Sequence, residues 1–223
     1  MIRALIFAFD GIIIDSESPE LQVWQEVFAA HGHELGLELW ADRVGRPSGH
    51  FDLYSYFQQH INPAVDIAAL RRERRARVIA LTEAQPVLPG VHDYLRLAAG
   101  MGLKVGLASS SSGSHVRGHL ARLNLLTYFA TTKCFEDTET HKPAPGPYHA
   151  VLDGLGVAPQ EAVAFEDSPN GVSAAKGAGI FCVAVPNPVT RRLPLDHADY
   201  RIESLAAEPL EGILARAARA KGK

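Results

Sequence analysis

Four groups of polar residues have the types that phosphate and magnesium chemistry needs. Asp10 and Ser109 each directly follow a short apolar run, Lys142 lies in a proline-rich loop, and Glu166 and Asp167 follow a third apolar run. A serine at the start of a helix can donate hydrogen bonds to an anion, and a lysine can neutralise it. Adjacent carboxylates repel each other unless a cation is present, and Mg²⁺ prefers oxygen ligands. These residues therefore predict a site for an anion and a divalent cation, provided that the fold brings them together.

The elements that would position these residues alternate between strands and helices. Buried strands are predicted at Ala4–Phe9, Lys104–Ala108, Ala162–Phe165 and Ile180–Val185. Amphipathic helices are predicted at His92–Ala99, His115–Leu123, Pro147–Leu155 and Gly171–Ala178. This alternation predicts a doubly wound α/β fold with a parallel sheet. Ligands of such sheets bind at the carboxyl ends of the strands, so the polar groups after the strands should converge on one edge.

One segment interrupts this alternation with a purely helical pattern. Residues 16–85 contain no buried-strand run, and Leu21, Trp24, Val27 and Phe28 recur at helical spacing. We therefore predict an α/β core formed by residues 1–15 and 86–223, with a helical domain inserted at 16–85.

Composition excludes several other classes of protein. The chain has 223 residues, 47% of them hydrophobic and 21% charged, with a net charge of −3, which argues against a general nucleic-acid binder. Cys134 and Cys182 have neither the spacing of a zinc site nor that of a disulfide framework. Apolar runs are too short for a membrane span, and Met1 leads straight into a strand-like segment rather than a signal peptide. A cytoplasmic protein with no nucleic-acid or membrane partner is expected.

The order and spacing of the polar groups resemble a known family. Phe7-Ala8-Phe9-Asp10-Gly11, Ser109, Lys142-Pro143-Ala144-Pro145 and Phe165-Glu166-Asp167-Ser168 are similar to the four motifs of the haloacid dehalogenase superfamily. The resemblance is closest to its phosphatases related to β-phosphoglucomutase and covers nearly the whole chain. It implies that the inserted helices form a cap, that Mg²⁺ is the cofactor, and that the partner is a small phosphorylated metabolite. A monomer or a homodimer is expected.

The resemblance also assigns roles to the motif residues. Ser109 would donate to a phosphoryl oxygen, with Ser110 and Ser111 as further substrate donors, although Ser109 could instead cap a helix. Lys142 would neutralise phosphate charge. Metal ligands would be the backbone carbonyl of Asp10 and the carboxylate of Asp167, with Glu166 either a third direct ligand or a residue that acts from behind the direct ligands. Asp10 would also be the general acid and base.

The chain departs from the family at position 8. The family's nucleophile is an aspartate two residues before the general acid and base, and here Ala8 stands in that place. A methyl group can neither attack phosphorus nor bind magnesium. Three explanations are a deliberately inactivated variant, a natural protein that binds without turnover, and an error in the sequence. We favour the first because the other motifs are intact.

The predicted cap contributes candidate substrate ligands. Glu17 follows the first motif at the hinge, where it could equally favour a helix N-terminus by its charge. Arg46 in a Gly/Pro loop could hold a second anionic group of the substrate, or it could be an ordinary surface arginine. Position 20 is Glu20, where the sugar-phosphate mutases have a histidine nearby, which argues against mutase activity. The arginine run within residues 71–77 is expected to be a solvated face rather than a nucleic-acid or membrane site.

The sequence thus favours an Mg²⁺-dependent phosphomonoester hydrolase that works through an aspartyl-phosphate and is inactive as it stands because of Ala8. The alternatives are a phosphosugar mutase and a non-catalytic protein that binds a phosphorylated ligand.

Overall fold

A six-stranded parallel sheet forms the centre of the fold. The computed structural model describes residues 1–36, 39–40 and 52–220. The strands are β1 (Ala4–Phe7), β2 (Lys104–Ala108), β3 (Thr131–Lys133), β4 (Ala162–Glu166), β5 (Phe181–Ala184) and β6 (Tyr200–Arg201). Their order in the sheet is β3-β2-β1-β4-β5-β6, so β1 lies in the interior between β2 and β4.

The four predicted strands are confirmed, although β4 ends one residue later than predicted, β5 is one residue shorter at each end, and β1 is two residues shorter. Strand β1 ends at Phe7 rather than Phe9, because the chain then turns. Ile12 N–H donates to the Phe9 carbonyl at 3.3 Å, and Gly11 adopts a φ of +72°. The short edge strands β3 and β6 were not predicted, since neither contains an apolar run.

Helices around the sheet give the chain the predicted doubly wound α/β class. Beyond the cap they are α4 (Val91–Gly100), α5 (Gly113–Arg122), α6 (Gly146–Leu155), α7 (Pro169–Gly177) and α8 (Leu210–Ala220). Two apolar clusters contain alternate residues of β1: Leu5 and Phe7 belong to one, and Ala4 and Ile6 to the other. Alternate residues of a strand face opposite sides, so β1 is buried on both faces.

The segment between β1 and α4 is an inserted helical cap. It contains α1 (Glu17–Ala29), α2 (Leu53–His60) and α3 (Ile67–Glu83). These helices have their own apolar cluster, which includes Trp24, Phe28, Trp40 and Phe57. The domain boundaries at 15/16 and 85/86 stay a prediction. No helix in the described residues is both long and apolar enough to cross a bilayer.

Three arginines of the run on α3 form ion pairs with other parts of the cap. Arg71, Arg74 and Arg77 recur every three residues and therefore lie near one face of the helix. They form ion pairs with Asp52, Glu20 and Glu26, respectively. Arg74 also donates to the Tyr54 hydroxyl at 2.5 Å. The prediction of a solvated face holds for Arg71 and Arg77, whose side chains are 53% and 51% exposed, and is wrong for Arg74, whose side chain is 12% exposed.

Candidate functional site

A cavity of about 850 Å³ lies at the carboxyl ends of β1, β2 and β4, below cap helix α3. Nine of the ten predicted site positions line it: Ala8, Asp10, Glu17, Ser109, Ser110, Ser111, Lys142, Glu166 and Asp167. The tenth, Arg46, lies outside the described residues. The sheet thus brings together residues that are separated by up to 159 positions in the chain, from Ala8 to Asp167.

Asp10 is held by serines from the core and from the cap hinge. Its Oδ2 accepts from Ser111 Oγ at 2.6 Å and from Ser109 Oγ at 3.4 Å, while Oδ1 accepts from Ser16 Oγ at 2.7 Å. His115 Nε2 lies 3.6 Å from Oδ1. Burial alone would raise the pKa of Asp10, but His115, Ser111 and Ser16 together lower it to about 2. Its carboxylate is therefore ionised near neutral pH and able to accept a proton.

The helices that follow β2 and β4 are capped by residues outside the predicted set of site residues. Ser112 Oγ accepts from His115 N–H at 3.3 Å and caps α5, so Ser109 is not the helix cap. Ser168 Oγ accepts from Gly171 N–H at 3.2 Å and caps α7. Ser109 therefore remains at the cavity.

Lys142 and Glu166 form a buried ion pair. The ammonium of Lys142 bonds to Glu166 Oε1 and donates to the Ala108 carbonyl at 3.0 Å. The Tyr148 hydroxyl donates to the same Oε1 at 2.5 Å, and burial, followed by the charge of Glu166, raises the pKa of Tyr148 well above its usual value. Glu166 Oε2 is buried and has no hydrogen-bond partner in the described structure. Oε1 of this carboxylate therefore has a cationic partner and a hydroxyl donor, whereas Oε2 has no hydrogen-bond partner among the described residues.

Asp167 shares the same crowded, buried environment. Its Oδ2 accepts from Asn187 Nδ2 at 2.8 Å. Burial raises the pKa of Asp167 well above its usual range, and the negative charges of Glu166 and Glu17 raise it further. Gly11 leaves the space for this carboxylate, since a Cβ there would lie 2.1 Å from Asp167 Oδ2. The adjacent acids thus create a negative potential that a cation would relieve.

Gly171 leaves the corresponding space for Glu166, which gives a testable prediction. A Cβ at Gly171 would lie 1.8 Å from Glu166 Oε2, inside α7. Gly171→Ala should therefore displace this carboxylate and lower the free energy of unfolding by about 1–3 kcal/mol in a urea titration, the cost of overpacking. Gly177→Ala, at the end of the same helix, is the control, because its Cβ would meet only ordinary contacts from 3.5 Å outward. Equal effects of the two variants would contradict this account.

Sequence reasoning missed Ser16, His115, Tyr148 and Asn187 at the site. Asn187 had a signal, because it comes just after the fourth apolar run. His115 and Tyr148 had none, since each is one position on an amphipathic helix, and only the folded structure shows what it faces.

Comparison with known proteins identifies the family of this chain. Residues 5–185 match the profile of the haloacid dehalogenase-like hydrolases. The phosphatase candidate YhcW of Bacillus subtilis (strain 168) is 42% identical over 214 residues, spanning 96% of this chain and 97% of that one. Hexitol phosphatase B of Escherichia coli (strain K12) is 34% identical over 213 residues, spanning 92% and 93%. The crystal structure of CbbY from Rhodobacter sphaeroides in complex with phosphate has a TM-score of 0.73 at 28% identity, covering 92% of this chain and 96% of that one. This chain belongs to the haloacid dehalogenase-like hydrolase family.

Proposed function

We propose that this chain carries the site of an Mg²⁺-dependent phosphatase of small sugar or polyol monophosphates, disabled by Ala8. The observation that supports it most is that the motif residues Asp10, Ser109, Lys142 and Asp167 line one cavity beneath a cap. The similarity to hexitol phosphatase B and to CbbY with bound phosphate supports this substrate class.

The phosphoryl group would bind between the serines and the lysine. Ser109 would donate its hydroxyl to a phosphoryl oxygen, with Ser110 and Ser111 beside it. Lys142 would offset negative charge at the same point, which is the main task of a site that transfers phosphoryl groups. Glu17, and Arg46 outside the described residues, would contact the rest of the substrate.

The donor chemistry around Asp167 fits a magnesium ion, but one carboxylate is missing. The oxygen donors would be Asp167, Glu166 and the backbone carbonyl of Asp10. In the described residues no three His, Cys, Asp or Glu side chains are grouped so that they could hold a metal ion. The missing third carboxylate corresponds to Ala8. When bound, Mg²⁺ would neutralise charge on the phosphoryl oxygens.

Asp10 would transfer protons in both steps of the reaction, to the leaving oxygen and from the attacking water. In a chain with aspartate at position 8, the new carboxylate oxygen would bond to phosphorus as the ester oxygen leaves. Because Asp10 is ionised in the free chain, it would first take up a proton from the phosphate monoanion of the bound substrate and then pass it to the leaving oxygen. Asp10 would then take a proton from the water that attacks the aspartyl-phosphate. With Ala8 no first bond can form, so this chain would bind substrate and leave it intact.

Magnesium affinity tests the metal part of the proposal. Ala8→Asp should bind Mg²⁺ at least about tenfold more tightly than the chain with Ala8, because it restores a charged oxygen ligand among buried acids. The comparison is an isothermal titration of both proteins with MgCl₂. Ala8→Asn is the control, since it adds volume and an amide oxygen but no charge. Unchanged affinity in Ala8→Asp would contradict the ligand set.

Phosphate release tests the activity itself. Ala8→Asp would be assayed on sugar and polyol monophosphates, with Mg²⁺ and with EDTA. No release in any of these assays would favour the second candidate, a non-catalytic protein that binds a phosphorylated ligand, which Ala8 supports directly. The mutase alternative is weaker, because Glu20 stands near the family's histidine position and is paired with Arg74 inside the cap.

A further inference from the structure

The cavity extends away from the phosphoryl site between two helix faces. Cap helix α3 contributes Arg75, Val78, Ile79 and Thr82, and core helix α5 contributes His115, Gly118, His119 and Arg122. Both sets have the spacing i, i+3, i+4, i+7, which places each set on a single helix face. We call the space between these two faces the helix groove.

The helix groove has a near end and a far end. His115 marks the near end, because its Nε2 lies 3.6 Å from Asp10 Oδ1. Arg122 is seven residues later on the same helix, which corresponds to about 10 Å along the axis. Arg122 Nη2 donates to the Gln85 carbonyl at 3.3 Å, just beyond the end of α3. The far end is therefore formed by the last turns of α3 and α5.

Arg122 brings an uncompensated positive charge to the far end. Its guanidinium bonds to two neutral acceptors, the Gln85 carbonyl and His119 Nδ1, the latter at 3.0 Å. No carboxylate lies within ion-pair distance of Arg122 in the part of the chain that the structure describes, although Glu83 lines the same cavity. This differs from Arg74 on the cap side, whose charge Glu20 neutralises.

Thr82 adds a polar group without a partner. Its side chain lines the cavity, the residue is only 3% exposed, and Oγ1 has no hydrogen-bond partner in the described structure. A buried hydroxyl without a partner is costly, and a ligand oxygen would relieve that cost. Arg122 thus provides an exposed donor at this end of the cavity, and Thr82 would provide a second one once its hydroxyl, which is closed off from solvent, rotates toward a ligand.

We propose that the helix groove binds the leaving group of the substrate, and that Arg122 and Thr82 at its far end bind a second anionic group. That group would be a phosphate or a carboxylate on the substrate's distal terminus. The inference rests on the proposed function, because it assumes that the first phosphate binds near Ser109 and Lys142.

Equilibrium binding to the chain with Ala8 tests this proposal, because substrates would bind without being consumed. Three open-chain six-carbon ligands differ only at the terminus far from the first phosphate: glucitol 6-phosphate, 6-phosphogluconate and glucitol 1,6-bisphosphate. With Mg²⁺ present, at least one of the two ligands with a second anionic terminus should bind about tenfold or more tightly than glucitol 6-phosphate. Tighter binding of 6-phosphogluconate would show that the far end prefers a carboxylate, and tighter binding of glucitol 1,6-bisphosphate would show that it prefers a phosphate. Equal affinity for all three ligands overturns the proposal.

Variants at the far end should remove this preference without removing the first-phosphate site. Arg122→Gln and Thr82→Val should each bring the preferred ligand to within about threefold of glucitol 6-phosphate. Arg117→Gln is the matched control, because Arg117 is on the same helix, pairs with Asp137 at 3.7 Å, has a 48% exposed side chain and does not line the cavity. A similar loss of preference in Arg117→Gln would mean that net charge alone causes it, and would overturn the assignment.

Gly118 offers a test that does not depend on the charged residues. Apart from its chain neighbours and the backbone of its own helix, no atom lies within 4 Å of the position that its Cβ would take, and Gly118 lines the middle of the groove. Gly118→Leu should fold, since leucine is the better helix former, and it should fill the groove. We expect all three six-carbon ligands to bind at least tenfold more weakly, with inorganic phosphate unaffected. Unweakened binding of the six-carbon ligands would show that they lie elsewhere.

Binding of inorganic phosphate distinguishes a failure of the proposed function from a failure of the far-end site alone. If phosphate fails to bind the chain with Ala8, the proposed function and the far-end site both fail. If phosphate binds and the preference for a second anion is absent, only the far-end site fails.

Discussion

Replacing Ala8 with aspartate should raise the rate of phosphate release from a sugar or polyol monophosphate by a factor on the order of 10⁶, the scale on which loss of a covalent nucleophile disables a protease. Position 8 is well placed for this change. Its backbone N–H donates to the Phe165 carbonyl at 3.0 Å, and the residue lines the cavity beside Asp10. An aspartate side chain at this position would extend from the wall of the cavity, and the hydrogen bond to β4 would hold its backbone in place.

Two controls make this kinetic result specific. Ala8→Asn has nearly the shape of the aspartate variant but no nucleophilic charge, so it should stay within about tenfold of the chain with Ala8. The activity of Ala8→Asp should disappear in EDTA and return with excess Mg²⁺. Equal rates for the aspartate and asparagine variants would mean that position 8 is not the nucleophile.

Removing the ammonium of Lys142 should cause the largest loss of stability. Its side chain is 10% exposed and that of Glu166 is 1% exposed, so Lys142→Met would leave a buried carboxylate without its cation. Breaking such a pair on one side costs about 3–5 kcal/mol of the free energy of unfolding. Urea denaturation monitored by circular dichroism would measure the loss. Because the loss of stability comes from the unpaired, buried charge of Glu166, adding Glu166→Gln to Lys142→Met should recover part of the lost free energy of unfolding.

Lys176 provides the matched control on the protein surface. It pairs with Asp199 at 2.6 Å, but the side chains are 37% and 25% exposed. Lys176→Met should therefore cost less than about 1 kcal/mol, because water screens the pair and solvates the remaining acid. If the two lysine variants lose the same stability, burial of the Lys142–Glu166 pair is not what makes it important.

The strands and the core helices could be predicted from the sequence because their signal is local. Strand β2 was predicted with both boundaries correct at Lys104–Ala108, since five consecutive positions suit a buried strand. In contrast, β3 is three residues long, half-buried and rich in threonine, and it exists because it pairs with β2. Pairing at a sheet edge is decided by the neighbouring strand, which a local pattern does not contain.

The motif residues of the site were predictable, but their partners were not. Asp10 and Asp167 follow apolar runs, and topology alone places such residues at one edge of the sheet. The residues that contact the motif carboxylates are Ser16 at Asp10, Tyr148 at Glu166 and Asn187 at Asp167, each from a different part of the chain. Thr82 and Arg122 are further examples, because neither belongs to a motif. Their proposed role depends on α3 and α5 facing each other across the cavity. What a side chain faces across a cavity depends on tertiary packing, and the spacing of residues along one helix does not encode it.

The position of β1 in the sheet has a consequence for synthesis on the ribosome. This apolar strand is made first, yet its neighbours are β2, about 100 residues later, and β4, which pairs Ala4 with Ala162. At about 5–20 residues per second, the ribosome needs several further seconds after completing β2 before it completes β4. During that interval one edge of β1 has no partner and is open to aggregation or to chaperones. All the buried residues of the cap's apolar cluster lie between Trp24 and Leu70, and Val189 only packs against it from outside, so we expect nascent chains to carry a folded cap on an unfinished sheet.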